Sequence, residues 1–178
     1  MERQDSSLLN TETVRLAEPR DIGACVELAL VSSAGEGAVN DAAFWRAALT
    51  RDIDEPERQL VVAVSDNEVV GYARAHLFEP KPDAPSDSVP RGYCLLGLFV
   101  LPSHRRTGLG SALTRTRLRW IGERANEAWF FSNARNDASI ELHRRFGFTE
   151  VTRSFSFPGL AFDGGEGILF RLQLHTPE

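Results

Sequence analysis

Two stretches of this 178-residue chain carry residue types at spacings that can do chemistry. The first, Val100-Leu101-Pro102-Ser103-His104-Arg105-Arg106-Thr107-Gly108-Leu109-Gly110-Ser111, reads as an apolar strand stopped by proline, a basic turn, and glycines that open a helix. A helix start leaves about four backbone N–H groups unpaired and carries roughly half a positive charge, so the segment Arg105 to Ser111 suits a phosphate. Glycines at 108 and 110 let backbone approach an anion without side-chain interference. The stretch fits neither the G-x-x-x-x-G-K-[ST] loop nor the G-x-G-x-x-G dinucleotide fingerprint. The second stretch runs from Asn136, placed to cap a helix, through Ser139, Leu142, His143 and Phe146 to Gly147 and Phe148. Those four middle residues share one helix face at i, i+3, i+4 and i+7, so His143 points inward.

Arg105-x-x-Gly108-x-Gly110, after a hydrophobic strand, resembles the acetyl-CoA pyrophosphate loop of the GNAT (GCN5-related N-acetyltransferase) superfamily. Asn136-Asp137-Ala138-Ser139-Ile140-Glu141-Leu142-His143-Arg144-Arg145-Phe146-Gly147-Phe148 resembles that family's N-x-x-A/S-x-x-L-Y-x-x-x-G-F helix. The resemblance follows element order over residues 13–174 and is sharpest over 94–148. It implies transfer of an acetyl group from acetyl-CoA to a primary amine, with no covalent enzyme intermediate and no metal. It also implies a central strand that splays from its neighbour to admit the pantetheine. Carried over residue by residue, Leu98, Phe99 and Val100 would pair with the pantetheine amides, and the Leu98 N–H would donate to the thioester oxygen. Arg105, Arg106, Thr107, Gly108, Leu109, Gly110 and Ser111 would hold the pyrophosphate. Asn136 would hydrogen-bond the cofactor's arm while also capping its helix.

This sequence departs from the family pattern twice. His143 stands where a tyrosine commonly acts as general acid toward the departing thiolate. An imidazolium of pKa about 6.5 is chemically able to protonate a thiolate of pKa about 8.5, and a core histidine bonded to a backbone carbonyl is the competing reading. Secondly, the 94–101 strand carries no carboxylate to serve as general base. The base, and the acceptor contacts, are open among Glu36, His76, Glu79, Glu166 and a water chain. Phe155, Phe157 and Phe162 offer an apolar acceptor wall or plain core packing.

The elements that must position these groups follow from periodicity. Val14 and Leu16 alternate as a strand. Pro19-Arg20-Asp21 opens a helix with Ile22, Val26, Ala29 and Leu30 on one stripe, and Asn40 or Asp41 caps a second helix bearing Phe44, Trp45, Ala48 and Leu49. Residues 60–64 and 69–78 flank Ser65-Asp66-Asn67-Glu68 as an antiparallel hairpin. Residues 79–91, with four prolines, read as a surface loop. Cys94 to Leu101 is a continuous apolar run expected of a central strand covered on both faces, with Gly97 marking a bulge or a close ligand. Leu109, Leu113, Thr116 and Trp120 form the buried stripe of the next helix. Residues 128–132, 148–157 and 167–174 read as strands, and Asn136 to Phe146 as a helix. The sum is one α/β domain over 13–174, roughly a seven-stranded mixed sheet with helices on both faces, between tails at 1–12 and 175–178.

Composition narrows the function. The net charge of −5 disfavours general nucleic-acid binding. Residues 1–90 carry 17 acids against 8 bases, and residues 91–178 carry 8 acids against 12 bases. The acidic half favours a cationic small-molecule amine as partner. No apolar run reaches the roughly 18 residues of a membrane span, and no signal-peptide layout opens the chain, so the expectation is a cytoplasmic protein without a membrane partner. Cys25 and Cys94 form no metal or disulfide pattern. A homodimer is compatible with all of this. The alternatives are a non-catalytic acyl-CoA sensor and a protein or peptide N-acetyltransferase.

Overall fold

The computed structural model describes residues 12–33, 40–162 and 165–174; Glu36, the tail after residue 174 and the first eleven residues lie outside them. Strand β1 (Thr13–Leu16) is followed by helices α1 (Ile22–Ser33) and α2 (Ala42–Asp54), then by strands β2 (Arg58–Ser65), β3 (Glu68–Phe78) and β4 (Gly92–Val100). Helix α3 (Leu109–Gly122), strand β5 (Glu127–Asn133), helix α4 (Asp137–Arg144) and strands β6 (Thr149–Thr152) and β7 (Gly167–Gln173) complete the order. The sheet runs β1-β2-β3-β4-β5-β7-β6, antiparallel everywhere except between β4 and β5.

Local chemistry explains the borders. Asp41 caps α2 by accepting from the Phe44 N–H at 2.8 Å. Asp66 and Asn67 both take positive φ, which makes the hairpin turn two residues long and lets the strands reach Ser65 and Glu68. Along β2 the side chains alternate between two cores: Leu60 and Val62 join α1 and α2, while Val61 and Ala63 join α3 residues Leu109 and Leu113. Helices therefore cover both faces, as the pattern predicts.

Three expectations are corrected. Phe44 is exposed rather than part of the α2 stripe. The buried face of α3 is Leu109, Leu113, Thr114, Arg117, Leu118 and Ile121, with Thr116 and Trp120 at its edge. The segment 148–157 is a strand only over Thr149–Thr152; beyond it Phe155 and Phe157 fold onto Phe131, and Phe157 also onto Phe78. The proline-rich loop runs over the surface, as its composition predicts, and is anchored at one point: Val89 is fully buried and its N–H donates to the Ser156 carbonyl at 3.0 Å.

Candidate active site

Strand β4 is not covered along its length. It pairs with β5 at only two positions, Cys94 with Trp129 and Leu95 with Phe130, although both strands run on past them. Its register against β3 shifts at Ala73/Arg74, and the extra residue is Gly97, exposed and at φ 42°. Such a bulge bends and twists its strand. Past it, the Leu101 N–H donates to the Val70 carbonyl at 2.9 Å. Peptide direction alternates along an antiparallel strand, so Phe99 also faces β3, whereas Leu98 and Val100 turn their backbone away from β3, to the side β5 has left. The Leu98 N–H thus opens on the cleft between the parting strands. Phe99 is a correction: its backbone pairs with Tyr72 of β3, leaving its ring, not its amide, for the site.

Where β4 ends, the chain turns through a short 3-10 helix (Pro102–His104) into α3. Arg106 sits at φ 65° and Gly108 at φ 95°, a left-handed value that disfavours any side chain at 108. Among the described residues, nothing accepts from the N–H groups of Arg106, Thr107, Gly108, Leu109, Gly110 or Ser111; the first helical bond is Ala112 N–H to the Gly108 carbonyl. Six successive bare amides at a helix N-terminus are an anion site in waiting. A methyl group at Gly110 would touch only Leu142, at 3.5 Å, so the protein's own packing does not require glycine there. Arg105 contributes differently from its neighbours. Its N–H goes to the Pro102 carbonyl, its Nε to the Val100 carbonyl at 2.9 Å, and its guanidinium lies over the Phe99 ring, so it straps the end of β4. The α4 N-terminus stands at the end of the other parting strand, capped by Asn136 Oδ1 accepting from the Ser139 N–H at 3.2 Å.

His143 is 1% exposed, stacked on Phe130 at 3.6 Å between ring centres, with Nδ1 2.8 Å from the Ser139 carbonyl. Because a carbonyl only accepts, Nδ1 carries the proton and Nε2, buried and without a partner among the described residues, presents a lone pair. Burial, aided by the charge of Arg117, pushes the imidazole down to about 3. The imidazolium acid that the sequence suggests is therefore not the species present at neutral pH. The expected results are histidine resonances of His143 that do not titrate above about pH 4 and a kcat that rises with amine deprotonation to a plateau with no falling limb from a histidine acid. An NMR midpoint near the ordinary value of about 6.5 would overturn this assignment.

The acceptor candidates scatter. His76 packs beside Arg58, with Nδ1 3.3 Å from Nη1, and opposite Cys94 at the closed end of β4; burial takes it down to about 4. Glu79 pairs with Arg91 at 2.8 Å beyond that end, and Glu166 with Arg153 at 2.7 Å. Each of these three is engaged with an arginine. What surrounds the exposed Gly97 is Tyr72 and the Arg74 side chain, the latter held by the buried Asp52 at 2.5 Å and lying over Trp45. Both cysteines are buried, which pushes each thiol up to about 12 and leaves neither a nucleophile at neutral pH.

Residues 28–148 match the family model described as Acetyltransferase (GNAT) family. Over 106 residues the chain is 30% identical to aminoglycoside N(6')-acetyltransferase type 1 of Klebsiella aerogenes, a match covering 59% of this chain and 68% of that protein. Over 104 residues it is 31% identical to an N-alpha-acetyltransferase of Sulfurisphaera tokodaii, covering 56% and 61%. The fold superposes on the structure of yncA from Salmonella typhimurium with its cofactor acetyl-CoA at a TM-score of 0.68 and 22% identity, covering 93% of this chain and 95% of that one.

Proposed function

Because the chain belongs to the GNAT acetyltransferase family, we propose that it moves an acetyl group from acetyl-CoA to the primary amine of a small molecule, by direct attack on the thioester. The observation that carries this reading is the run of bare amides from Arg106 to Ser111, set at the mouth of the cleft where β4 leaves β5. Those amides would hold the pyrophosphate, and the backbone of Leu98 and Val100 would hold the pantetheine. The Leu98 N–H would stabilise the negative charge that builds on the thioester oxygen as the amine adds. Two buried, high-pKa thiols favour direct transfer over an acyl-cysteine route.

A small cationic acceptor is favoured by the acidic balance of the first 90 residues and by the aminoglycoside-modifying relative. The test is a panel of cationic amines, neutral amines, alcohols and peptides with free N-termini, incubated with acetyl-CoA and read by thiol release and product mass. Cationic small amines should turn over with a KM that rises with salt, because exposed charges are screened beyond about 10 Å at 0.1 M. Preference for peptides would move the acceptor class to proteins. Acetyl-CoA binding with no turnover on any acceptor would make the chain a sensor.

A further inference from the structure

Arg117 is the largest of the fully buried side chains, 1% exposed in the middle of α3. Among the described residues no carboxylate lies within ion-pair reach of it. Its donors go to neutral oxygens instead: Nε to the Leu113 carbonyl at 3.4 Å, Nη2 to Thr114 Oγ1 at 3.1 Å, and Nη1 to both the Arg74 carbonyl at 3.1 Å and the Leu96 carbonyl at 3.3 Å. Burial lowers the guanidinium to about 9, which still leaves it charged at neutral pH. A buried charge without a counter-ion is costly, and an apolar side chain of similar volume is the usual occupant of such a position.

The two carbonyls show what the charge is for. Arg74 and Leu96 are partners in the β3–β4 ladder on one side of the bulge; Ala73 and Leu98 are partners on the other, with Gly97 between. One nitrogen of Arg117 therefore ties β3 to β4 at the last pair before the register break, one residue before the bulge and two before Leu98. Below the sheet, α3 grips this point. Above it, the Arg74 side chain is fastened to Asp52 of α2. Both helices thus hold the same residue of β3, one by its carbonyl and one by its side chain.

We propose that Arg117 is a positioning residue for acetyl transfer: by clamping the Arg74 and Leu96 carbonyls it fixes the Gly97 bulge, and through it aims the Leu98 N–H at the thioester oxygen. The inference rests on the acetyl-transfer reading of the cleft. Lysine keeps the charge but lacks the planar fork that reaches four oxygens at once.

The test compares Arg117→Met and Arg117→Lys with a control, Ile121→Ala, which removes core volume one turn further along the same helix. In Arg117→Met, kcat should fall about 10²-fold, the scale of a misplacement of about 1 Å at a reacting centre. KM for acetyl-CoA should stay within about threefold, since the amide loop is untouched. Arg117→Lys should recover part of kcat, and the control should lower Tm without a comparable loss. Wild-type kcat in either folded arginine variant, or a loss of kcat that merely tracks Tm as in the control, would overturn the proposal. If Arg117→Met does not fold, Arg117→Lys decides by the same criterion. The Leu98 amide resonance of the free protein gives a readout independent of turnover: it should shift in Arg117→Lys. An inactive wild type would refute the acetyl-transfer reading, while an unmoved Leu98 resonance would refute the clamp.

Discussion

Acidification from pH 6.5 to pH 4 should cost this protein much of its stability, in a regime where many folded domains are little affected. His76 and His143 are both held neutral by burial, at about 4 and about 3, against about 6.5 in an unfolded chain. The unfolded state therefore binds protons that the native state refuses, and stability falls as pH drops below the unfolded value until the folded values are reached. Above pH 6.5 both forms are neutral and nothing is lost. Each group contributes a slope approaching 1.4 kcal/mol per pH unit, so the pair approaches about 2.7, against a total stability of about 5–15 kcal/mol. Thermal and urea melts across pH 4–8 would measure the slope, and His76→Gln should remove about half of it. A Tm independent of pH down to 4 would show that neither ring is held neutral in the native state, and half the slope would show that one is not.

Gly110→Asp should separate binding from folding with opposite signs. A carboxylate in the first turn of α3 interacts favourably with the helix N-terminus, by about 0.3–1 kcal/mol, and the only contact a new Cβ makes is the ordinary one to Leu142. Tm should hold or rise. The same carboxylate would occupy the bare amides from Arg106 to Ser111 and repel a pyrophosphate, so acetyl-CoA affinity should drop at least about 100-fold, or roughly 2.7 kcal/mol. Calorimetric titration with acetyl-CoA checks the affinity and a thermal melt the stability. Unchanged affinity in the folded variant would remove the loop from the cofactor site.

The strand-turn-helix at 98–111 was legible because its signals are local: proline stops the strand, glycines open the helix, and unpaired amides follow from any helix start. Most strands were legible for the same reason. Arg117 was missed although its position carries a signal. Leu109, Leu113, Arg117 and Ile121 fall four residues apart on one stripe, but a guanidinium reads as a solvent-facing residue unless the carbonyls it meets are known. Those carbonyls come from β3 and β4, far off in sequence. The state of His143 was hidden in the same way. Its position was readable from the helix face, but its neutrality is set by Phe130 of β5 and by the charge from α3. Phe155 and Phe157 look like a continuing strand because apolar alternation does not distinguish ladder partners from a wall packed across the sheet.

The two-position seam between β4 and β5 also has a mechanical meaning. Four strands lie on one side of it and three on the other, each set joined by antiparallel ladders, while between the sets the ladder has only two residue pairs and the rest of the join is the helical crossover and a shared apolar core. On the proposed reading, a bound pantetheine arm lies along the unpaired edge of β4 in the place an eighth strand would take. The donor substrate is then a temporary structural member: while it is bound, it bridges the gap in the sheet that the chain leaves open and ties together the far ends of β4 and β5, which the ladder does not join.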